Sequence, residues 1–498
     1  MFERVILTGC IAFFFVNRAP AQIEFCPFDE ATQIGNPSLK GSHSFEAGTQ
    51  TCVLEGSGNN MWNNRDEFYF LSRPQSGDCI LSANICIAGK GGNPHRKAGL
   101  MFRTSLSEDA PYVDVAIHGD GLTSIQYRSE KGGETREADT QVNAPQFVQI
   151  EKSGNNFILR VSKNQTPLDE VASVQVNLGD AFHAGIFICS HDSAVKEKAV
   201  FSNIRLDVPA EMKGGEQAPP SSSRLEILDV ETGLRRIIYS TENHIEAPNW
   251  SRDGKFLLFN SHGKLYRFDL RNLKIKPIDT GPATALNNDH GISFDGKKLA
   301  ISHHPEEDGL RNSIIYTLPV KGGTPKRITR LGPSYWHGWS PDGQWITYCA
   351  ERNGNYDVFK IPSSGGEEIR LTHAEGLDDG PEYSPDGKYI YFNSVRSGTM
   401  LIWRMNTDGS HQEQVTSDEF NDWFPHPSPD GKWLVFISYF PDVPAGLHPR
   451  NQRIMIRLMP SGGGEIRSLA FLYGGQGSLN VPSWSPDSKK IAFVSYTY

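Results

Sequence analysis

The feature that most constrains this chain is a hairpin that recurs six times in its second half: NWSRDGKFLLF from 249, ISFDGKKLAI from 292, GWSPDGQWITY from 338, EYSPDGKYIYF from 382, HPSPDGKWLVF from 426 and SWSPDSKKIAF from 483. The turn aspartates Asp253, Asp295, Asp342, Asp386, Asp430 and Asp487 are spaced by 42, 47, 44, 44 and 57 residues. A period in the forties built from short strands predicts propeller blades of four strands each. Proline fixes φ at the second turn position, aspartate suits the third, and glycine takes the left-handed conformation that closes the hairpin. Ser488 stands in place of that glycine in the last repeat. A second pair of strands follows each hairpin, as in SIIYTLPVKGGTPKRIT, except the last, and RLEILDVETGLRRIIYS at 224–240 supplies the missing pair. Six blades are therefore expected over 224–498, closed by the two ends of that segment so that no sheet edge is left free.

The first half alternates apolar and polar residues in short runs bounded by GDG, KGG, SGN and LGD, for example Ala98, Leu100 and Phe102, or Phe157, Leu159 and Val161. Period two over 23–209 predicts a two-layer antiparallel sandwich with one face of each sheet buried. Glycine, proline and serine dominate 210–223, which reads as a linker of mixed stiffness. The expected fold class is all-β, a sandwich followed by a six-bladed propeller. A chain of 498 residues is long enough for more than one core. With a net charge of -9 and no Lys/Arg tract, nucleic acid is not an expected partner.

The first residues, MFERVILTGCIAFFFVNRAPA, carry an apolar stretch from Val5 to Val16 and end in Ala19-Pro20-Ala21. This reads as a secretory signal covering 1–21, too short to span a bilayer, which implies a periplasmic or secreted protein. The alternative is a lipoprotein signal, because Leu7-Thr8-Gly9-Cys10 is similar to a lipobox. No later segment is long and apolar enough for a membrane span. Cys26, Cys52, Cys79, Cys86, Cys189 and Cys349 remain after cleavage, without zinc-site spacing. Up to two disulfides in the first half and buried thiols are both open readings.

With its SPDGK turns, the second half resembles the TolB-like six-bladed propellers, whose repeats are variants of the WD-type repeat. That resemblance spans 224–498 and implies fold more than activity, because the motif residues build turns. The family includes periplasmic proteins that bind other envelope proteins. The first half, through DEFYF at 66–70, KAGLMFRTSLSEDAPYVDVAIHGDG and FVQIEKSGNNFILRVS, resembles concanavalin-like or laminin-G-like sandwiches. That resemblance implies either glycan binding or a spacer. GxSxG, HExxH and a phosphate-binding loop are absent, and no peptidase domain is expected after the last blade.

The innermost strand of each blade runs toward the SPDG turn and the next runs back, so residues before the first and after the second share one face of the disc. Five residues before the turn aspartate stand Pro248, His290, His337, Pro381, Pro425 and Pro482. Two neighbouring blades thus carry histidine where four carry proline. Around them the same face is expected to gather His244, His262, His304, Trp336, Glu351, Arg352, Asp378, Asp379, Glu382, Arg396, Asp422, Trp423, His426 and Tyr439, together with Glu246, Asn288, Asp289 and Tyr335. Aromatic, arginine and carboxylate side chains in one place suit a glycan or an extended peptide of a cell-envelope protein. Histidines with carboxylates also suit a divalent metal or proton transfer. In that second reading His290 and His337 are the metal or acid–base candidates, with Glu382 and His426 across the channel and Arg352 or Arg396 on a substrate carboxylate. It is the reading implied by likeness to oligogalacturonate lyases, propellers that hold a metal through channel-face histidines. The loop YFPDVPAGLHPRNQ, 439–452, accounts for the long last spacing and is expected either as a flap over this face or as a contact with the sandwich.

Overall fold

The computed structural model describes residues 26–498 apart from 90–91, 164–166, 211, 214–215, 218–219, 221 and 306–311. The expected signal segment and Cys10 lie outside the described residues. Two seven-stranded antiparallel sheets form the first layer pair. One runs from the edge strand Glu30–Ile34 through Phe68–Ser76, Ala181–Cys189 and Lys97–Arg103 to Arg136–Asp139. The other runs from Asp169–Gln175 through Cys79–Ile87 and Asp192–Asp207 to Ser42–Glu46. Ala98, Leu100 and Phe102 meet Leu81, Ile150 and Leu159 in the core between them. The alternation that places these residues inward turns Lys97, Met101 and Arg103 outward, and they are buried as well. The first sheet is therefore covered on both faces, where one was expected. Its outer cover is the chain around Met61, whose carbonyl accepts the Tyr112 hydroxyl at 2.7 Å, over a second apolar cluster of Phe68, Phe70, Met101 and Phe187.

Five four-stranded antiparallel sheets follow, with innermost strands Glu246–Trp250, Leu286–Ile292, Ser334–Trp339, Asp378–Tyr383 and Asn421–Pro427. The sixth blade joins Lys490–Thr497 to Ser222–Asp229 and Arg235–Thr241, with its innermost strand reduced to the bridge Trp484↔Ile491. Leu225 pairs with Val494 and Ile227 with Ala492, so the ring closes as the repeat count requires. In all six turns a serine two residues before the aspartate donates its hydroxyl to that carboxylate, at 2.5 to 2.9 Å. Ser488 adopts φ 60°, the conformation glycine supplies elsewhere.

The stretch expected as a linker contains a short antiparallel pair, Met212–Lys213 with Glu216–Gln217, and the chain re-enters where it left. Arg224 at the start of the ring meets Asp207 at the end of the sandwich at 2.6 Å. Other contacts join the two halves. Arg205 of the sandwich shares the carboxylate of Glu226 with Arg235, Arg453 meets Glu151 at 2.6 Å, and Phe440 packs in a cluster with Leu168 and Phe147. The beginning of the 439–452 loop thus touches the sandwich, while its later residues reach the mouth of the ring.

Candidate functional site

A cavity of about 1140 Å³ opens at the end of the ring where the innermost strands begin. Its position follows from a local irregularity. In each of the five complete blades the pairing of the innermost strand with the next shifts register within the strand, between Leu286 and His290, for example, or Asp379 and Glu382. A bulge of this kind re-aims the side chains beside it. The residue seven before the turn aspartate then faces the cavity in five blades: Glu246, Asn288, Tyr335, Asp379 and Asn480. Ala247 and Phe424, one position later, take positive φ of 56°.

Charged groups in the cavity are mostly paired. His337 donates from Nε2 to Asp379 Oδ1 at 3.0 Å across two blades, and that oxygen also accepts the Gly380 amide. Burial pushes Asp379 up, but His337 outweighs it and holds the carboxyl at about 2. Burial likewise lowers His337, yet the facing Asp379 raises it overall, so the two form an ion pair. Glu246 Oε1 lies 2.9 Å from His244 Nε2 and 3.0 Å from the Arg450 guanidinium. Asp289 has neither kind of partner: Asn287 Nδ2 donates to its Oδ2 at 2.7 Å, and its other oxygen accepts nothing from the described residues. Burial, reinforced by Asp379 and only partly countered by His337, pushes Asp289 up to about 7.

Of the residues singled out from sequence, His244, His262, His304, His337 and Asp379 line the cavity, as do Glu246, Asn288, Asp289 and Tyr335. The others lie elsewhere. Trp336 and Trp423 are 1% and 0% exposed and offer no stacking face; Trp336 packs against Gly291 and Trp423 lies under His448, ring centroids 4.3 Å apart. Arg352 is held by Glu368 at 2.7 Å, next to Glu351, and Arg396 by Asp378 at 2.8 Å. Asp422 is bound by Arg457 at 2.6 Å, and the Tyr439 hydroxyl donates to the Pro449 carbonyl at 3.0 Å. These are contacts within blades, made because charges in a sheet stack need partners. Glu382 and His426 form a buried pair at 2.6 Å, beside a small cleft at the turn end of the ring.

His290, the first metal candidate, is buried with both ring nitrogens unpartnered, and burial lowers it to about 3. His337 lines the cavity and His290 does not, and among the described residues no three His, Cys, Asp or Glu side chains come together to hold a metal. The donor set does not fit the divalent ion that the histidine pattern suggested.

The model of the TolB beta propeller domain matches residues 337–442. An uncharacterized protein of Agrobacterium fabrum is 50% identical over 275 residues, 55% of this chain and 92% of its own length. A solved Agrobacterium tumefaciens structure with the TolB designation is 49% identical, covers 55% of this chain and 98% of its own, and superposes with a TM-score of 0.54. The chain belongs to the TolB-like propeller family. Tol-Pal system protein TolB of Francisella tularensis is 29% identical over 131 residues, and the chain spans only 28% of that protein's length.

Several lining residues of this TolB-like ring were not singled out in advance. His448, Arg450 and Asn451 come from the 439–452 loop, Asn260 from the second strand of the first blade, and Gln476 and Asn480 from the approach to the last turn. His448 packs edge-on to Phe424 at 5.5 Å, and Phe424 stacks on His337 at 5.9 Å. A signal for one of them was available: counting seven rather than five residues back from the turn aspartate finds Asn480, as it finds the inward position in four other blades, once a bulge is allowed for. The long last spacing places the 439–452 loop over this face or against the sandwich, and its later residues do line the cavity; which of them would do so has no signal, because an insertion has no repeat to count from.

Proposed function

We propose that this protein is an extracytoplasmic binding protein of the TolB-like family whose cavity takes up a segment of a cell-envelope protein. The observation that carries this reading is the amide lining of the cavity, in which Asn260, Asn287, Asn288, Asn451, Asn480 and Gln476 surround the paired charges. Asn260, Asn287 and Asn480 use part of their amide capacity on the Leu286 and Asn287 carbonyls, on Asp289 and on the Gly477 N–H, while Asn288 keeps its amide nitrogen unpartnered; the donors and acceptors left over suit a peptide backbone. A glycan reading draws its strength from exposed aromatic platforms, and here Trp336 and Trp423 are core residues. The metal-dependent lyase reading has no assembled donor set to support it. An extracytoplasmic location is favoured by the apolar segment Val5–Val16 before a small-residue site and by the partial match to a Tol-Pal system protein. No helix among the described residues is long and apolar enough to cross a membrane.

The test is site-directed photocrosslinking of the full chain in envelope fractions. A benzophenone side chain at His262, on the exposed lip of the cavity, is expected to capture one identifiable envelope protein. The same probe at Lys297, in a turn at the other end of the ring, is expected to capture none. Equal capture from both positions, or binding on a glycan array that His262→Trp abolishes, would overturn the reading.

A further inference from the structure

The cavity's charges are unevenly matched. Arg450 is committed to Glu246 at 3.0 Å and His337 to Asp379 at 3.0 Å, so the strongest cations at the site already have carboxylates. Asp289 is left as a 6% exposed carboxyl, fixed on one side by Asn287, which donates its amide to Oδ2 at 2.7 Å and accepts the Asp289 amide at 3.0 Å. Beside it Asn288, 4% exposed, has an amide nitrogen with no partner. A buried carboxylate without a cation and a buried donor without an acceptor are each costly, and native structures keep such groups where a ligand completes them. Leu286, Tyr335, Tyr356 and Phe424 line the cavity nearby, an apolar wall suited to the methylene stem of a long basic side chain.

We propose that the protein segment bound in this cavity carries a lysine or arginine whose charge pairs with Asp289, while Asn288 donates to a carbonyl of the same segment. This rests on the cavity being the binding site and adds the chemistry of what enters it. Asp289 is faced by His337, Tyr335 and Cys349 from one neighbouring blade, by Glu246 from the other, by Asp379 from one blade further on, and by Asn287 from its own strand. Of these only His337 is cationic, and its proton is held by Asp379. An incoming ammonium or guanidinium would convert Asp289 to a full carboxylate and release a proton.

The experiment pans a phage-displayed dodecamer library on the full chain and then measures selected peptides by titration calorimetry. Enrichment in lysine or arginine is expected. Replacing that residue by glutamine in the peptide should weaken binding more than tenfold to the parent and less than twofold to Asp289→Asn, because the two changes remove the same pair. At pH 7 the parent should release protons on binding, seen as a buffer-dependent heat in phosphate against Tris, and Asp289→Asn should not. The inference falls if selected peptides are acidic or unbiased, if Asp289→Asn keeps full affinity for basic peptides, or if putrescine alone binds as tightly as they do. Peptides that His262→Trp excludes but that show no basic preference would sink this inference and leave the cavity as the binding site. Failure of His262→Trp to affect any selected peptide would remove the cavity itself.

Discussion

Asp66 of the sandwich and Asp289 of the propeller are both buried aspartates at the face of a β-sheet, and their surroundings differ in kind. Asp66 is grasped by Arg128 through two nitrogens at 2.7 and 2.8 Å and by Arg103 at 3.3 Å. The remaining N–H groups of those arginines go to carbonyls: Arg103 to Ser105 and Ser107, Arg128 to Asn63, Ala110 and Gly133. The network is closed, and nothing could enter without displacing the loop above it. Asp289 opens on a cavity of about 1140 Å³ with one oxygen unclaimed. Burial alone therefore does not mark function. What separates the two is whether the protein itself completes the charge.

Glu226 gives this contrast its severest test, because it is a closed site of the Asp66 kind located where the two halves meet. Arg235 donates to both its oxygens, at 2.8 and 3.2 Å, Arg205 comes from the sandwich at 3.2 Å, and Ser495 from the closing strand at 2.6 Å. Glu226→Ala leaves two buried guanidinium groups facing each other, an arrangement that costs about 3–5 kcal/mol. Urea unfolding followed by tryptophan fluorescence should show a loss of that size, and a loss under about 1 kcal/mol would mean that the junction is not fixed by this triad. The acid limb follows from the same contacts. Burial raises Glu226, but Arg235 and Arg205 outweigh it and hold the carboxyl at about 2, below its unfolded value. Its contribution is therefore complete above the ordinary glutamate range and is lost as pH falls from there toward 2.

Asp66→Asn is the next step down in size. The amide keeps the shape and can still accept from Arg128, but it gives up the charge against two arginines, for about 2–3 kcal/mol. The expected readout is a lowered thermal midpoint with no change in ligand affinity, since the site is remote from the cavity. A measurable loss of peptide binding in this variant would break the separation between a closed structural charge and an open functional one.

The closed parts of the molecule were the legible ones. Six SPDG-type turns announce six blades because each turn makes the same serine-to-aspartate hydrogen bond, so the sequence must repeat wherever that bond does. Ring closure could be read because RLEILDVETGLRRIIYS is a strand pair without a hairpin of its own. The cavity was only half legible. His337 and His290 hold equivalent positions in sequence, yet one meets a carboxylate, Asp379, and the other is buried with no side-chain partner for its ring nitrogens, since what a residue faces depends on the neighbouring blade rather than on its own repeat. Trp423 and Trp336 adjoin the turn by count, which places them on the rim, and the bulge buries them. The outer cover of the sandwich could not be found by period two, which gives the two faces of a strand but not what lies on each. His448 and Arg450 reach the cavity from an insertion, where no internal template existed to compare with.

The smallest effect expected on stability is also the one of opposite sign. Asp289 has a folded-state value of about 7, raised first by burial from an ordinary 3.8. A raised carboxyl contributes to stability fully below its unfolded value, and that contribution is lost as pH rises toward 7, because the folded state must then ionise a buried group. Asp289→Asn removes the ionisation and keeps the acceptor for Asn287 Nδ2. Parent and variant should therefore unfold alike near pH 4, and the variant should gain on the parent through the interval to pH 7. Above it the variant should be more stable by about 1–2 kcal/mol, less than the full shift converts to because a cavity-facing oxygen can hydrate. Thermal unfolding at pH 4, 6 and 8 checks this directly. A variant that is less stable than the parent at pH 8 would show that Asp289 is held as firmly as Asp66, and the distinction between the two aspartates would collapse. A gain in stability joined to loss of basic-peptide affinity would instead be the signature of a group kept for its ligand at the expense of the fold.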